Sequence, residues 1–582
     1  MPKNWRFLPF DPTHVRTLSQ RLNVSPVLAQ ILSARGFTDA ERAAAFLDSK
    51  LTELHDPELL PGVSAAADRI VAALKEGRLI TVYGDYDVDG VTATSLLWHC
   101  LKLAGGTVEY YIPHRMDEGY GIHEDALRSL HERDPKMLVV SVDCGITGVH
   151  EAAVARQLGL ELIITAHHEP KETLPEPDVL VHPRLASANP TYPFGDLCGV
   201  GVAFKLAWAI CSRLGDGRKA SPHMREFLLS AVGLTALGTV ADVVPLLDEN
   251  RVFVRYGLKS LCERPPLGLR ELMKVSGLGE AGPRSAEDIA FKLAPRINAA
   301  GRLGQARLAV ELLTTENPER ARKLAEYLEE QNKMRQTVER RILKQAKEQI
   351  EQHPELGNRE AIVLAHHEWH PGVIGIVASR LVELFQKPTV LLALNSGEGT
   401  GQGSGRTFGS FNLLAGLHAC AEHLKTFGGH HAAAGLSLAT DRIDVFRDAF
   451  CRHVSENHVV SAHDVELRVD AEVRLADLNL RAVKELDRLG PFGRSNTAPR
   501  FASTRVELAE PPRTMGEGGH HLALKVKQQG TSVRAISFGH GDWADEIAKV
   551  KGTISICYAP MVNRFRDREN VELQLHDWQP DQ

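Results

Sequence analysis

Apolar and polar positions alternate along the chain in five distinct textures. In the first, Leu28, Ile31 and Leu32 recur at helical spacing, and Gly36-Phe37-Thr38 reads as a helix stop followed by a new N-cap, so residues 1–75 are expected to form a helical segment. Residues 79–84 then form a short apolar run ending in Gly, as a buried strand does. Helical stretches at 91–104, 125–133 and 149–158 alternate with strand-like runs at 107–113, 137–142 and 160–165. Alternation of this kind predicts a parallel sheet with helices on both faces. Further helices at 206–214 and 224–237 extend this domain over residues 76–315.

Residues 316–352 have few breakers and are dense in Glu, Lys, Arg, Gln and Ala. Mixed charge along such a stretch predicts one exposed helix of about 50 Å joining two lobes, with a helical hairpin as the alternative. A smaller α/β unit is expected over 353–460, with strands at 360–365 and 388–394, a helix at 374–385 and a Gly-rich segment at 397–409. From about Val465 the pattern shortens. Five strand-like segments at 501–508, 522–526, 532–537, 553–559 and 571–575 predict a small β-barrel of OB type over 461–582.

The length of 582 residues suits such a multidomain α/β chain, and 43% hydrophobic with 24% charged residues excludes a wholly disordered one. Lys plus Arg number 68 against 74 Asp plus Glu, a formal charge of -6. That excludes a histone-like binder and leaves room for a local basic groove. No run reaches the roughly 18 uninterrupted apolar residues of a membrane helix. The nearest, 227–241, carries Ser230, Thr235 and Thr239 and runs into Asp242. The first 13 residues lack the apolar stretch of a secretory signal, and eight scattered cysteines form no CxxC pair, so a cytoplasmic protein with reduced thiols and no membrane is expected.

The chemistry gathers where apolar runs end. Asp85-Tyr86-Asp87-Val88-Asp89-Gly90 follows the first strand, Asp143 the third, Ala166-His167-His168 the fourth, and Asp242 closes the run 227–241. Strand ends of a parallel sheet converge on one edge, so the fold itself collects these groups. Three carboxylates so close repel unless a cation neutralises them. A solvated acidic turn or a structural calcium loop is the bland reading; an EF-hand fails, because a helix follows. Asp and His without thiolate suit Mn²⁺, Mg²⁺ or Zn²⁺. Two such ions bridged by a carboxylate would activate water and stabilise the leaving oxygen of a phosphodiester, with Asp143 the natural bridge between Asp87/Asp89 and His167. His168 is left to contact phosphate. Cys144 reads as a small residue packed in a tight turn.

These motifs resemble the DHH phosphoesterase superfamily and, within it, the RecJ family of single-strand-specific exonucleases, over roughly residues 75–575. The resemblance is carried by Tyr83-Gly84-Asp85-Tyr86-Asp87-Val88-Asp89-Gly90, Val142-Asp143-Cys144-Gly145, Thr165-Ala166-His167-His168-Glu169-Pro170 and Gly238-Thr239-Val240-Ala241-Asp242. It continues in Pro295-Arg296-Ile297-Asn298-Ala299-Ala300-Gly301-Arg302, Trp369-His370-Pro371-Gly372 and Gly428-Gly429-His430-His431. It implies a DHH domain, a connecting helix, a DHH-associated domain and an OB-fold. It implies Asp87 and Asp143 on one metal, Asp89, Asp143, His167 and Asp242 on the other, Asp85 as a further ligand or supporting group, and His168 on the scissile phosphate. Two divalent ions, Mn²⁺ or Mg²⁺, are the expected cofactors.

One position departs from the pattern. The family's third motif begins with Asp, and here that place is Ala166. The resemblance implies that this Asp supports the metal-binding histidine or the charge of the site. Its loss is expected to impair catalysis, whether it was introduced to disable the enzyme or marks an inactive paralogue.

For the nucleic-acid path, Arg115 and the Ser404-Gly405-Arg406 segment match the positions where RecJ relatives hold a terminal 5′ phosphate; Arg provides a bidentate fork and Gly admits backbone amides. His430, Arg296 and Arg302 are expected strand contacts, and Phe492 a stacking residue at the start of the barrel. The implied activity is a 5′→3′ exodeoxyribonuclease on single-stranded DNA in repair and recombination. By family analogy its partners are a single-strand-binding protein and a RecQ-type helicase. A small-molecule or oligoribonucleotide DHH phosphoesterase and a non-catalytic single-strand-binding protein are the alternatives.

Overall fold

The computed structural model describes residues 4–115, 117–185, 191–216, 219–395, 397–458, 466–565 and 568–581. The expected boundary at 460–461 and the onset at Val465 lie outside them. The chain packs as two units: Met1–Leu54 with Pro245–Arg255 and Val465–Gln582, and His55–Val244 with Tyr256–Asp464.

The N-terminus begins with strand β1 (Asn4–Phe7) and helices α1 (Pro12–Leu22), α2 (Pro26–Ala34) and α3 (Ala40–Leu47). Side chains of Asp11, Ser25 and Asp39 accept from backbone N–H groups of the first turns and so start the three helices. Gly36 does end a helix, with φ 86°. The new N-cap is Asp39 and not Thr38, because the Asp39 carboxylate reaches the Arg42 N–H.

The second unit opens with α4 (Val63–Lys75) and then alternates strand and helix: β2 (Leu79–Tyr83), α5 (Val88–Leu103), β3 (Thr107–Tyr111), α6 (Glu124–Arg133), β4 (Leu138–Val142), α7 (Val149–Leu158), β5 (Glu161–Thr165), β6 (Val179–Val181), α8 (Gly199–Arg213) and α9 (Pro222–Ala241). The sheet is wholly parallel in the order β3-β2-β4-β5-β6. All five residues of β4 are buried, the near-continuous apolar run that a sheet covered on both faces requires. Strand order reverses direction between β2 and β4, which opens a crevice at their C-terminal ends. Helices α6 and α7 cover one face with Leu127, Leu130 and Ala155. α5 is buried over its first ten residues, packed against α8 and α9. α9 is the one helix among the described residues long and apolar enough to cross a membrane, and 67% of that apolar window is buried in this domain.

The expected connector is one helix, Pro318–Gln352, of 35 residues. Beyond it stands a five-stranded mixed sheet of β7 (Ile362–His366), β8 (Thr389–Asn395), β9 (Thr400–Arg406), β10 (Thr426–Gly429) and β11 (Ala433–Ala439), in the order β10-β11-β9-β8-β7. Helix Pro371–Phe385 crosses between β7 and β8. The Gly-rich segment is therefore strand β9 over most of its length. Its glycines answer to packing: a Cβ on Gly403 would lie 2.7 Å from both Leu392 and Leu436.

The C-terminal strands are β12 (Glu466–Val469), β13 (Ala471–Glu472), β14 (Phe501–Leu508), β15 (Arg513–Met515), β16 (His521–Gln528), β17 (Thr531–Ser537), β18 (Ile554–Phe565) and β19 (Arg568–Pro580). Seven of them form a sheet in the order β13-β14-β18-β19-β17-β16-β15, and an added β14–β16 pairing partly closes the ring. β12 pairs with β1 instead. Leu28, Ile31, Leu32 and Leu47 of the N-terminal helices share one hydrophobic cluster with Phe501, Val526, Ile556 and Leu573 of the barrel. The expected N-terminal segment 1–75 is thus divided. α1–α3 are too short to bury their apolar stripes alone and complete the barrel's core, whereas α4 joins the parallel sheet.

Arg251 fastens this unit. Only 2% exposed, its guanidinium stacks 3.8 Å from the Phe46 ring centroid and donates to the carbonyls of Phe46, Leu489 and Arg488. Arg251→Met keeps the volume but strands three carbonyls, at about 1 kcal/mol each. Amide exchange in α3 should accelerate roughly 100-fold, and protection equal to the parent's would refute this account.

Candidate active site

The five carboxylates and two histidines singled out in the sequence meet at the crevice between β2 and β4. Asp85 lies in the turn after β2. Asp87 is the N-cap of α5, its Oδ1 accepting from Gly90 N at 3.1 Å. The helix starts three residues before the expected 91, so Asp89 sits in its first turn, where a carboxylate is favoured by the helix dipole. The turn is tight: a Cβ on Gly90 would lie 2.5 Å from Asp85 Cβ. Asp143, after β4, has φ 63°, a left-handed conformation that costs a non-glycine residue on the order of 1–3 kcal/mol. His167 and His168 follow β5. Asp242 reaches the site from the C-cap of α9 and not from a strand end, since the apolar run before it is helical. Val243, next to it, is also left-handed at φ 58°, an outlier for a β-branched residue.

Their donor atoms converge. His167 Nε2 lies 3.2 Å from Asp143 Oδ1, 3.6 Å from Asp242 Oδ2 and 3.8 Å from Asp89 Oδ2. His168 Nδ1 lies 3.7 Å from Asp143 Oδ1. Three groups of donors, Asp85/Asp87/Asp143, Asp89/His167/Asp242 and Asp143/His167/His168, each fall within 4.8 Å. Asp85 Oδ1, Asp143 Oδ1 and His167 Nε2 are buried without a hydrogen-bond partner. Asp89 is better satisfied, accepting from Gly199 N at 2.6 Å and Val200 N at 2.8 Å at the start of α8.

Burial and mutual repulsion dominate the electrostatics. Burial, then Asp89, Asp87, Asp85 and Asp242, push the Asp143 carboxyl well above the usual range. Burial and Asp87 do the same to Asp85. Burial and Asp87 raise Asp89 to about 7 against the pull of the α8 amides. Burial holds His167 well below its ordinary value, and it holds His168 down at about 4. Partnerless buried oxygens, a neutral imidazole and repelling carboxylates fit divalent cations with hard oxygen and nitrogen preference. Among the described residues no cysteine joins these donor groups: Cys144 is buried in an apolar cluster, and Cys198, beside Asp89, lies 3.2 Å from Thr239 Oγ1.

Several neighbours were not singled out in the sequence. The Tyr120 hydroxyl lies 3.1 Å from Asp143 O and 3.0 Å from His168 Nδ1, and so holds that ring. His182 Nε2 lies 2.8 Å from His168 O, and Arg184 Nη2 donates to His167 O. A Cβ on Gly199 would strike Asp143 Cβ at 2.5 Å. His182 and Arg184 were legible by the same rule as the others, since His182-Pro183-Arg184 follows a short apolar run. Tyr120 stands between Gly119 and Gly121, both with positive φ. Ala166 is wholly buried, its N–H on Val181 O at 3.2 Å, and its methyl provides no acceptor.

Beside the carboxylates lies a cluster of arginines. The Arg115 guanidinium sits 4.7 Å from the ring centroid of Tyr86, the residue between Asp85 and Asp87. Arg406 Nη1 donates to Ser404 Oγ at 3.0 Å. Arg302 Nη1 donates to Gly372 O at 3.0 Å. Burial, then Arg115, Arg335 and Arg406, lower Arg302 to about 10, and burial with Arg115 lowers Arg406. Guanidinium groups gathered this closely call for an anion. His430, exposed in the second lobe, is near enough to depress His168. Two further expected strand contacts have these surroundings. Arg296 is 2.6 Å from Glu329 and also donates to Lys292 O. Phe492, expected to stack at the start of the barrel, lies in that unit, half-buried against its apolar core.

The chain matches three family models: DHH family, N-terminal domain, over residues 79–238, DHHA1 domain over 358–456 and RecJ OB domain over 469–577. It is 38% identical over 575 residues to the single-stranded-DNA-specific exonuclease RecJ of Bacillus subtilis (strain 168), covering 98% of this chain and 70% of that protein. It is similar to the crystal structure of RecJ in complex with Mn²⁺ from Thermus thermophilus, with TM-score 0.83, 31% identity and coverage of 100% and 80%. The structure of RecJ in complex with Mg²⁺ from the same organism gives TM-score 0.77 and 30% identity, with coverage of 100% and 79%.

The electrostatics predict opposite responses to metal. Asp89 is held at about 7 against 3.8 unfolded, so the folded state binds a proton the unfolded state has lost. Metal-free protein should therefore lose stability as pH rises from about 4 to 7. Asp143→Asn should flatten that profile, raise the melting temperature without metal, and abolish the rise produced by Mn²⁺. Scanning calorimetry across this pH range with Mn²⁺ or chelator decides it; a destabilised metal-free Asn variant counts against the charge argument.

Proposed function

The chain belongs to the RecJ family of single-stranded-DNA-specific exonucleases, and on that basis we propose that it hydrolyses single-stranded DNA from the 5′ end to mononucleotides, in repair and recombination. The observation that carries this reading is the set of partnerless buried donors on Asp85, Asp143 and His167 at the sheet's switch point.

Asp85, Asp87 and Asp143 would hold one divalent cation, Mn²⁺ or Mg²⁺, and Asp89, Asp143, His167 and Asp242 a second. When bound, such a pair activates water and stabilises the leaving oxygen of a phosphodiester. Tyr120 fixes the His168 ring toward the cluster, where His168 contacts the scissile phosphate. Arg115, Ser404 and Arg406 hold the terminal 5′ phosphate. Arg115 rests on Tyr86, whose neighbours are Asp85 and Asp87, so a phosphate held there puts the next one at the carboxylates. This adjacency favours 5′→3′ polarity and release of single nucleotides. Arg302 adds positive charge to the pocket, and His430 approaches from the second lobe. The OB-type barrel provides a further grip on single strands.

A site that takes one strand needs duplexes opened first. That requirement supports a RecQ-type helicase and a single-strand-binding protein as partners, and a cytoplasmic location beside the chromosome. Ala166 is the observation that favours a second reading, a single-strand-binding protein with little or no catalysis.

Ala166→Asp decides between them. Loss of a group that supports a ligand costs about 10–100-fold in affinity or activity, so the Asp variant should gain that factor in Mn²⁺. Strands blocked at the 3′ end should be degraded to mononucleotides and strands blocked at the 5′ end should persist. Unchanged binding with no release of nucleotides by the Asp variant would leave the binding-protein reading standing.

A further inference from the structure

The connecting helix Pro318–Gln352 is mostly exposed and mixed in charge, yet Glu339 on it is only 2% exposed. A buried carboxylate is costly unless it is paired from all sides. Glu339 is held from two directions. Arg335 Nη1, one turn earlier on the same helix, lies 2.6 Å from Oε2, and Arg380 Nε, on helix Pro371–Phe385 of the second lobe, lies 2.6 Å from Oε1. Arg335 Nη2 also donates to Asn332 Oδ1 at 2.9 Å.

Helix Pro371–Phe385 seats half of the arginine pocket. A Cβ on Gly375 would lie 2.8 Å from Ser404 Oγ and 2.9 Å from Arg406 Nη2, so this turn of helix touches both side chains. The first lobe ties the start of the same helix through the bond from Arg302 to Gly372 O. The helix is therefore held at Gly372 by the first lobe and at Arg380 by the connector, with Ser404 and Arg406 seated between. Apolar contact between connector and second lobe, through Ile342, Ala346, Val373 and Val377, adds adhesion. Apolar contact is non-directional and tolerates sliding along a helix face, whereas an ion pair on a buried carboxylate favours one register even though the Arg380 side chain is 53% exposed.

We propose that Glu339 is a positioning residue which, by clamping Arg380 of the second lobe beside Arg335 of the connector, sets the reach from the Ser404–Arg406 pocket to the carboxylate–histidine cluster and thereby the one-nucleotide register of cleavage. This rests on Arg115, Ser404 and Arg406 being the strand-end pocket, a reading that Arg406→Ala tests separately.

The test uses the full chain carrying Ala166→Asp, so that cleavage is restored, with Mn²⁺ and short single strands ending in 5′ phosphate or 5′ hydroxyl. Fluorescence anisotropy reads the phosphate preference. Excess enzyme on 5′-labelled strand reads product length. Glu339→Gln and Arg380→Gln should each lower the phosphate preference by about tenfold and add dinucleotides to the mononucleotide product, and the double variant should fall no further than either single one. Mn²⁺-induced thermal stabilisation should persist in all three, which separates repositioning from misfolding. If Arg406→Ala loses the preference while both Glu339→Gln and Arg380→Gln keep it with mononucleotides alone, the inference is overturned and the pocket stands. If Arg406→Ala keeps the preference, the pocket fails and the inference falls with it. Equal loss of affinity for both strand ends together with loss of Mn²⁺ stabilisation also overturns it.

Discussion

Negative charge forced into a crevice governs this molecule. Asp85, Asp89 and Asp143 are buried at the point where the parallel sheet changes winding direction, with Asp87 and Asp242 beside them. Arg115 and the Tyr86 amide offset part of the charge on Asp85, and burial with mutual repulsion still outweighs them. His167 is neutral, and the amides of α8 satisfy only Asp89. The surrounding backbone is correspondingly specialised. Asp143 and Val243 are left-handed, and Gly90 and Gly199 are glycine because any side chain would strike Asp85 or Asp143. The fold thus invests conformational strain and glycine in keeping repelling oxygens together, which makes sense for a site completed by cations.

Opposite charge is laid out a residue away. Tyr86 is the partition: Asp85 and Asp87 flank it in the chain, and Arg115 lies on its ring. Burial first, and then the charge of Arg115, make both Arg302 and Arg406 easier to deprotonate than an isolated guanidinium. A polyanion with evenly spaced phosphates is complementary to such a pair of sites, one cation-hungry and one anion-hungry. Because Ser404 and Arg406 come from the second lobe and Arg115 from the first, their spacing depends on how the lobes are held. The ion pairs along the connecting helix therefore bear on the chemistry although none of them touches the carboxylates.

The elements that build the site were legible along the chain. β2, α7 and β14 stand at or within a residue of where apolar spacing put them, because burial on one or two faces writes a period of two or 3.6 into the chain, and the long helix stands where few breakers and mixed charge put it. The misreadings have local causes. The Gly-rich stretch carried no expected element, and its glycines serve close packing in β9. Asp39 and not Thr38 starts α3, since either residue type caps equally well in sequence.

By itself the sequence determined which groups would carry charge and that they would gather, because a parallel sheet brings its strand ends to one edge whatever the details of packing. It also placed Ala166 where an acceptor is expected. Tertiary structure alone decided that Tyr120 holds His168, that α1–α3 complete the barrel's core, and that Glu339 is buried between two arginines. Each of these depends on contacts between residues far apart in the chain, and the packing that selects such contacts leaves no periodic mark on the residues that make them.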